Sequence, residues 1–385
     1  MVGNSMNSKI RQNYKDNINI FMFLCIVAAI ASKLTETLFL PDKYFFDGNR
    51  IVEMVNEAVP KSNWYKGSYK VAADFFKRIN IFNFTEHIQW SIMLGIVMTI
   101  LVIIMFRKVE GLDTPQVCFG MMCVALLNIY IFNISKDAVQ FLMFFIIYIV
   151  LSIKKIPIII KMLFAAGVLY WVSNIYRSYY IIMSFFFVVI FIAFSIIRFK
   201  KKRLRWFQYL IVVVGLFAMV YVFLLSARSL YPKDYQDIMD ARNYSNKQGQ
   251  ASAIEEPFEH NGNLNIFFED YMIDSVRIMF PFELVQIGAF YVPFFAFQVF
   301  MLFYTVRGIK YMDELDDKSF IGLCIFIAFF LGSVLFEPDF GSFVRHEAAT
   351  FPIIILMAFN PAMWNPKIKE QIKLEEAQFG EVTDY

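Results

Sequence analysis

Apolar runs long enough to cross a bilayer of about 30 Å as helices recur along the chain, separated by short polar breaks. They predict ten membrane spans, at 18–40, 88–106, 116–133, 138–153, 157–173, 179–197, 206–226, 282–306, 319–336 and 348–363. The expected architecture is an all-α polytopic membrane protein: a tail at 1–17, a transmembrane domain at 18–363 and a second tail at 364–385. Two connections are long, about 41–87 and about 227–281. In the first, Ile51, Val52, Val55 and Val59 mark one helical face and Glu53, Asn56 and Glu57 the other. Trp64, Tyr65 and Tyr69 follow, then the segment 71–79, a pattern expected of helices lying on the membrane surface with aromatics at headgroup depth. The second has helix-like segments at 231–242 and 267–279 around a polar stretch, 245–252, expected to be mobile. The first span also admits a reading as a signal peptide, with Ala29-Ile30-Ala31 as its cleavage site.

Composition agrees. Of 385 residues 58% are hydrophobic and 18% charged, against roughly a quarter charged in soluble domains. Forty-six Phe, twenty Tyr and twenty Met are hard to bury in a water-soluble core. Orientation follows from Lys and Arg, which collect on the cytoplasmic side of short loops. With both termini inside, the inner segments hold Lys9, Arg11, Lys15, Arg107, Lys108, Lys154, Lys155 and Lys161, the cluster at 198–205, and Arg307, Lys310, Lys318, Lys367, Lys369 and Lys373. The three short outer loops hold only Lys136, Arg177 and Arg345. Cys25, Cys118, Cys123 and Cys324 all fall in apolar runs and read as small apolar residues. There is no internal repeat, P-loop, dinucleotide fingerprint or zinc spacing, so no cofactor, metal or nucleic acid is expected.

Chemistry therefore has to come from polar groups at the outer face. An ionisable residue at membrane depth is costly and points to function. Asp47, in Tyr44-Phe45-Phe46-Asp47-Gly48-Asn49-Arg50, suits a base for an acceptor hydroxyl, with Arg50 beside it as an anion ligand. Asp-Gly-Asn is equally ordinary turn chemistry. In Ser135-Lys136-Asp137, Lys136 is a phosphate ligand, while Ser135 and Asp137 suit a helix N-cap and first turn. Arg177, in Asn174-Ile175-Tyr176-Arg177-Ser178-Tyr179-Tyr180, runs against the topology rule; it suits bidentate phosphate binding, with Tyr176 and Tyr179 placed to contact sugars, or else a snorkelling anchor. Arg228 opens the second long loop with Tyr231, Lys233 and Arg242 nearby. Arg345-His346-Glu347, after Glu337-Pro338-Asp339, pairs a fixed cation with a group that titrates near neutrality, or forms an interfacial ion cluster with Glu337 or Asp339. Brought together, these cations make a cleft suited to a lipid-linked pyrophosphate.

The pattern resembles the bacterial polysaccharide (O-antigen or capsule) polymerases called the Wzy family and, more broadly, the GT-C membrane glycosyltransferases. The resemblance lies in the span number, the two large outer loops and the outer-face arginines, and locally in the Asp47 segment, Ser135-Lys136-Asp137, Arg177 and Arg345-His346. It implies a glycosyltransferase of the bacterial inner membrane, joining polyprenyl-pyrophosphate-linked oligosaccharide repeats at the periplasmic face. It makes Arg177, Arg228 and Arg345 ligands of pyrophosphate or glycan, Tyr231 a glycan contact, and His346 an acid–base or orienting group. Asp47 would be the aspartate base of the first outer loop. A flippase and a chain-length regulator become expected partners beside membrane lipids. An O-antigen ligase and a single-sugar GT-C transferase share this pattern. A lipid-linked oligosaccharide flippase is the alternative of another class, disfavoured by the missing repeat and by spans with few central ionisable residues apart from Lys33 and Glu36.

Overall fold

A computed structural model describes residues 2–41, 45–57, 65–109, 111–200, 204–247, 252–255, 257–258, 262–288, 291–336 and 339–363; at 2–16, 234, 241, 243–247 and 287 it describes the backbone alone. The helices in chain order are α1 (Val2–Phe39), α2 (Phe46–Val55), α3 (Gly67–Ile79), α4 (His87–Phe106), α5 (Thr114–Leu126), α6 (Lys136–Ser152), α7 (Ile158–Ile175) and α8 (Tyr180–Phe199). They continue as α9 (Trp206–Leu230), α10 (Pro232–Lys247), α11 (Leu264–Met279), α12 (Phe282–Ile287), α13 (Val292–Lys310), α14 (Asp317–Phe336), α15 (Phe340–Ala349) and α16 (Phe351–Ala358). Among the described residues there is no strand; a single bridge joins Ala253 and Asp339.

Among the described residues, eight helical segments are long and apolar enough to cross a membrane: Asn17–Phe39 of α1, α4, Thr114–Ile131, α7, α8, α9, α13 and α14. The chain is a multi-pass membrane protein. Two of the ten expected spans are not among these eight. The one at 138–153 is α6, with 17 residues. The one at 348–363 is not a single helix. Its first residues finish α15, the chain breaks at Thr350, α16 restarts with Pro352 in its first turn, and a tight 3-10 turn follows at Pro361–Met363. Pro352 has no N–H to continue a helix and its ring excludes the carbonyl four residues back. The Thr350 amide instead bonds to the Glu347 carbonyl (2.9 Å), which the Thr350 hydroxyl also reaches (2.7 Å). The expected span at 282–306 likewise starts as short α12, and the long helix begins only at Val292.

α14 is the axis of the bundle, with 94% of its membrane window buried, and α8, α16, α13, α11 and α10 surround it. Peripheral helices keep an apolar face outward. On α4, Ile92, Ile96, Ile100 and Ile104 are exposed while Leu94, Met98, Val102 and Met105 are buried, as expected of a helix between protein and lipid. Cys25, Cys123 and Cys324 are buried and Cys118 exposed. Both surface loops are helical where expected, as α2–α3 and α10–α11; the backbone of 245–247, expected to be mobile, continues α10, and Trp64 and 248–251 lie outside the described residues. Arg242, fully buried, stitches the second loop to the bundle. It pairs with Asp274, donates to the Val334 carbonyl (2.9 Å) and lies 5.1 Å over the Phe267 ring.

The two ionisable residues of the first span are paired. Lys33 donates to Glu36 (2.5 Å), to the Ser91 hydroxyl (2.8 Å) and to the Phe132 carbonyl (2.7 Å), and Ser91 donates to Glu36 (2.7 Å). All three lysine protons are used. The lysine stem crosses Gly95, where a methyl group would come within 2.5 Å of it. This cluster ties α1 and α4 to the turn before α6. Lys33→Ala strands the Glu36 carboxylate and should destabilise the protein by about 3–5 kcal/mol, with Lys33→Met/Glu36→Leu recovering most of it. Thermal unfolding in one detergent measures both; equal losses in the two variants would contradict this account.

Candidate functional site

Three chain breaks meet at one end of the bundle. The first precedes α6. α5 ends in a π-turn, Leu127–Ile131, closed by the Phe132 amide on the Leu127 carbonyl (2.7 Å). Ser135 then caps α6, accepting from the Ala138 amide (3.1 Å), as its sequence predicts. Lys136 and Asp137 therefore occupy the first turn of α6. The second is the α7–α8 corner, where the amides of Tyr176 and Arg177 share the Val172 carbonyl (2.9 and 3.4 Å). The third is α15, capped by Asp339, whose side chain accepts from the Ser342 amide (2.6 Å).

α2 completes the arrangement. The Asp-Gly-Asn segment is not a turn: Asp47, Gly48 and Asn49 lie in the first turn of α2. Gly48 is the close approach. A methyl group there would lie 2.8 Å from the His87 ring and 3.0 Å from the Ile134 carbonyl, so only glycine lets α2 sit this near the start of α6.

The polar side chains form two layers. In the outer one, Asp47 lies between cations: Oδ2 is 3.1 Å from Lys136 Nζ and 4.0 Å from Arg345 Nη1. The Tyr69 hydroxyl donates to Oδ1, and Lys136 Nζ stands 4.5 Å over the Tyr69 ring. The inner layer is nearly closed to solvent. Arg177 Nη2 lies 2.8 Å from His346 Nε2, and Asp137 Oδ1 lies 3.3 Å from that nitrogen and 3.7 Å from Arg177. Through Nη1, Arg177 donates to the Tyr179 hydroxyl (2.7 Å) and to Gln140 Oε1 (3.3 Å). Gln140 donates through Nε2 to the His346 carbonyl (2.8 Å), which is open because the helix breaks at Thr350. The adjacent pairs Lys136-Asp137 and Arg345-His346 each send one side chain to either layer, as a helical step of about 100° per residue allows.

Each expected residue can now be placed. Lys136, Arg177, Arg345, His346 and Asp47 converge. Arg50 is half-buried on α2, its guanidinium 5.3 Å from the Phe46 ring. Tyr176 is only 3% exposed, and its hydroxyl donates to the Lys136 carbonyl (2.6 Å), so it fixes the corner against α6. Tyr179 stacks on Tyr180 and Phe336. Arg228 and Tyr231 stand exposed at the α9–α10 corner, with no contact to the cluster among the described residues. Of the acids proposed for Arg345, Asp339 caps α15 and also adds its charge to those of Asp137 and Asp47 around Arg345, and Glu337 lies outside the described residues. Gln140 and Tyr69 were missed. Gln140 had a signal: it is the one amide in the apolar run 138–153, one turn after Lys136. Asp137 was assigned only to the helix start, yet it also pairs across the site.

No protein-family model, curated protein or solved structure matches the chain.

Charge is distributed unevenly over the two layers. Lys136, Arg177 and Arg345 face Asp47 and Asp137, leaving a net positive site at an apolar surface. Burial disfavours the Asp47 carboxylate, but Lys136, Arg345 and the Tyr69 hydroxyl outweigh it and hold the group below its ordinary range. A depressed carboxyl stabilises the fold above its unfolded value, near 4, and that stability goes as pH falls through the lower folded value. Asp47→Asn should therefore lower the thermal midpoint at neutral pH, and the gap from the parent protein should close below about pH 4. A gap that stayed constant down to the acid limit would show that Asp47 contributes no charge.

Proposed function

We propose that the chain is a glycosyltransferase that polymerises lipid-linked oligosaccharide repeats, taking a polyprenyl-pyrophosphate donor at the outer end of the bundle. The observation that supports this most is the convergence of Lys136, Arg177 and Arg345 from three separate elements around two carboxylates, Lys136 and Arg345 at Asp47 and Arg177 at Asp137. A cationic cluster at one end of an apolar helical bundle suits a substrate with a pyrophosphate head and a long apolar tail. It also explains why the polar groups gather at one face rather than at mid-membrane.

In this reading Lys136 and Arg345, the more exposed cations, receive the pyrophosphate. Arg177 stands behind them, oriented by Gln140, His346 and Tyr179. The acceptor is a hydroxyl of the next lipid-linked repeat. Its oxygen bonds to the anomeric carbon of the donor, the bond from that carbon to the pyrophosphate oxygen breaks, and the electron pair leaves with the pyrophosphate. Asp47 takes the hydroxyl proton. Charge building on the leaving oxygen is what the cations stabilise. The order of events follows from electrostatics. Lys136 and Arg345 hold Asp47 ionised and weaken it as a base, so donor binding must draw them toward phosphate before Asp47 can accept a proton. His346, with Nε2 turned to Arg177 and Asp137, orients the arginine in this scheme rather than meeting substrate. Wzy-type polymerases of the bacterial inner membrane are the class this chemistry describes.

Purified protein with lipid-linked oligosaccharide, and without nucleotide sugar, should give a ladder spaced by one repeat unit. Arg345→Ala and Arg177→Ala should each lower the rate by about 10²–10³-fold, the usual scale for losing a group that stabilises transition-state charge. Arg177→Lys should also be poor, because a lysine cannot reach Tyr179, Gln140 and His346 at once. Asp47→Asn tests the base. A full-length ladder from the Arg345 and Arg177 variants would remove the site assignment, and intact substrate yielding no ladder would remove the polymerase reading.

A further inference from the structure

The proposed chemistry leaves the opposite end of the bundle unused. The sequence crowds basic residues there. Among the described residues of 198–210 and 305–318, six Lys and Arg stand against four acids, Asp313, Glu314, Asp316 and Asp317. Of these acids, Asp317 is engaged by Arg198 (3.1 Å) and Asp316 lies 3.5 Å from Lys318. Positive-side topology alone accounts for some excess of charge. It does not account for the cavity beside it.

α9 is fully buried only in its outer half, while its inner half packs more loosely through the partly buried Tyr209, Val212, Leu216 and Phe217. Val220, Leu224 and Ala227 are its buried residues, and nothing between Trp206 and Met219 is fully buried. Between that inner half and α13 and α14 runs an apolar crevice of about 260 Å³. Tyr209, Val213 and Phe217 of α9 form one wall, Leu302 and Ile309 of α13 the other, and Phe330 of α14 the floor. Met279 of α11 lines it as well. A space this apolar offers water few partners, with only the hydroxyls of Tyr209, Ser275 and Thr305 in its lining, and an empty one would forfeit dispersion contacts along most of it. Within a bilayer, hydrocarbon is the available filling.

The mouth selects which hydrocarbon. The crevice reaches Tyr209 and Ile309, and Arg205 stands one helical turn before the first and Lys310 next to the second, both exposed. Arg307 lies between the Phe303 and Tyr311 rings (5.6 and 5.5 Å to the centroids). Trp206, 81% exposed, marks headgroup depth at the start of α9. We propose that this is a binding site for one anionic phospholipid, with an acyl chain in the crevice and the phosphate at the Arg205–Lys310 mouth. The lipid chain fills the space that α9 and α13 leave between them along the crevice.

Native mass spectrometry of the full chain in detergent, titrated separately with phosphatidylglycerol and phosphatidylcholine, tests this directly. One phosphatidylglycerol should be retained in preference to phosphatidylcholine. Arg205→Gln/Lys310→Gln should weaken phosphatidylglycerol about 30-fold, from roughly 1 kcal/mol for each basic residue at a membrane surface, and leave phosphatidylcholine unchanged. Val213→Trp, which fills the crevice, should abolish retention of both. Equal retention of the two lipids by the parent protein, or undiminished phosphatidylglycerol on either variant, would overturn the site. The charge variant leaves the crevice untouched, so it decides the matter even if the tryptophan variant does not fold.

Discussion

A guanidinium, an imidazole and a carboxylate meet out of reach of solvent where α6, the α7–α8 corner and α15 come together. Arg177, His346 and Asp137 are each costly to bury alone, and each is made tolerable by the others and by Gln140. Everything else at this end depends on that contact. It fixes α15 in the position from which Arg345 reaches outward, and it fixes the start of α6, from which Lys136 does the same. α2 then delivers Asp47 between these two cations, through the close approach that Gly48 permits.

The site exists because the last apolar run is broken into two short helices. Pro352 prevents α15 and α16 from joining, and the Thr350 amide turns back on Glu347. The His346 carbonyl is thereby left for Gln140 to claim. Irregular backbone at membrane depth is tolerated where protein satisfies its polar groups, and here that satisfaction is also what positions the cations. The same economy recurs at Lys33, where every proton finds an acceptor.

Most of the architecture was legible because hydrophobic length is an additive property of a segment. Eight spans, the two helical surface loops and the Ser135 cap follow from runs, faces and local chemistry. The broken last span did not follow, because Phe351-Pro352 sits inside an unbroken apolar run and composition cannot distinguish one helix from two. At the site, charged residues that violate the topology rule stood out, which is why Lys136, Arg177 and Arg345 were found. Arg228 stood out equally and lies elsewhere, since a sequence gives the exposure of a loop but not its direction. Gln140 and Tyr69 act through partners distant in the chain. Asp137 was explained away by its helix start, a local role that it fills alongside the distant one.

The account rests on Lys136 and Arg345 being the cations that receive a lipid pyrophosphate. The most direct measurement is phosphorus NMR of a short-chain prenyl pyrophosphate titrated with the purified protein in detergent. A saturable shift should appear with the parent protein, persist in Arg228→Gln and disappear in Lys136→Gln/Arg345→Gln. The same shift in the double variant as in the parent would place the pyrophosphate elsewhere and contradict the account.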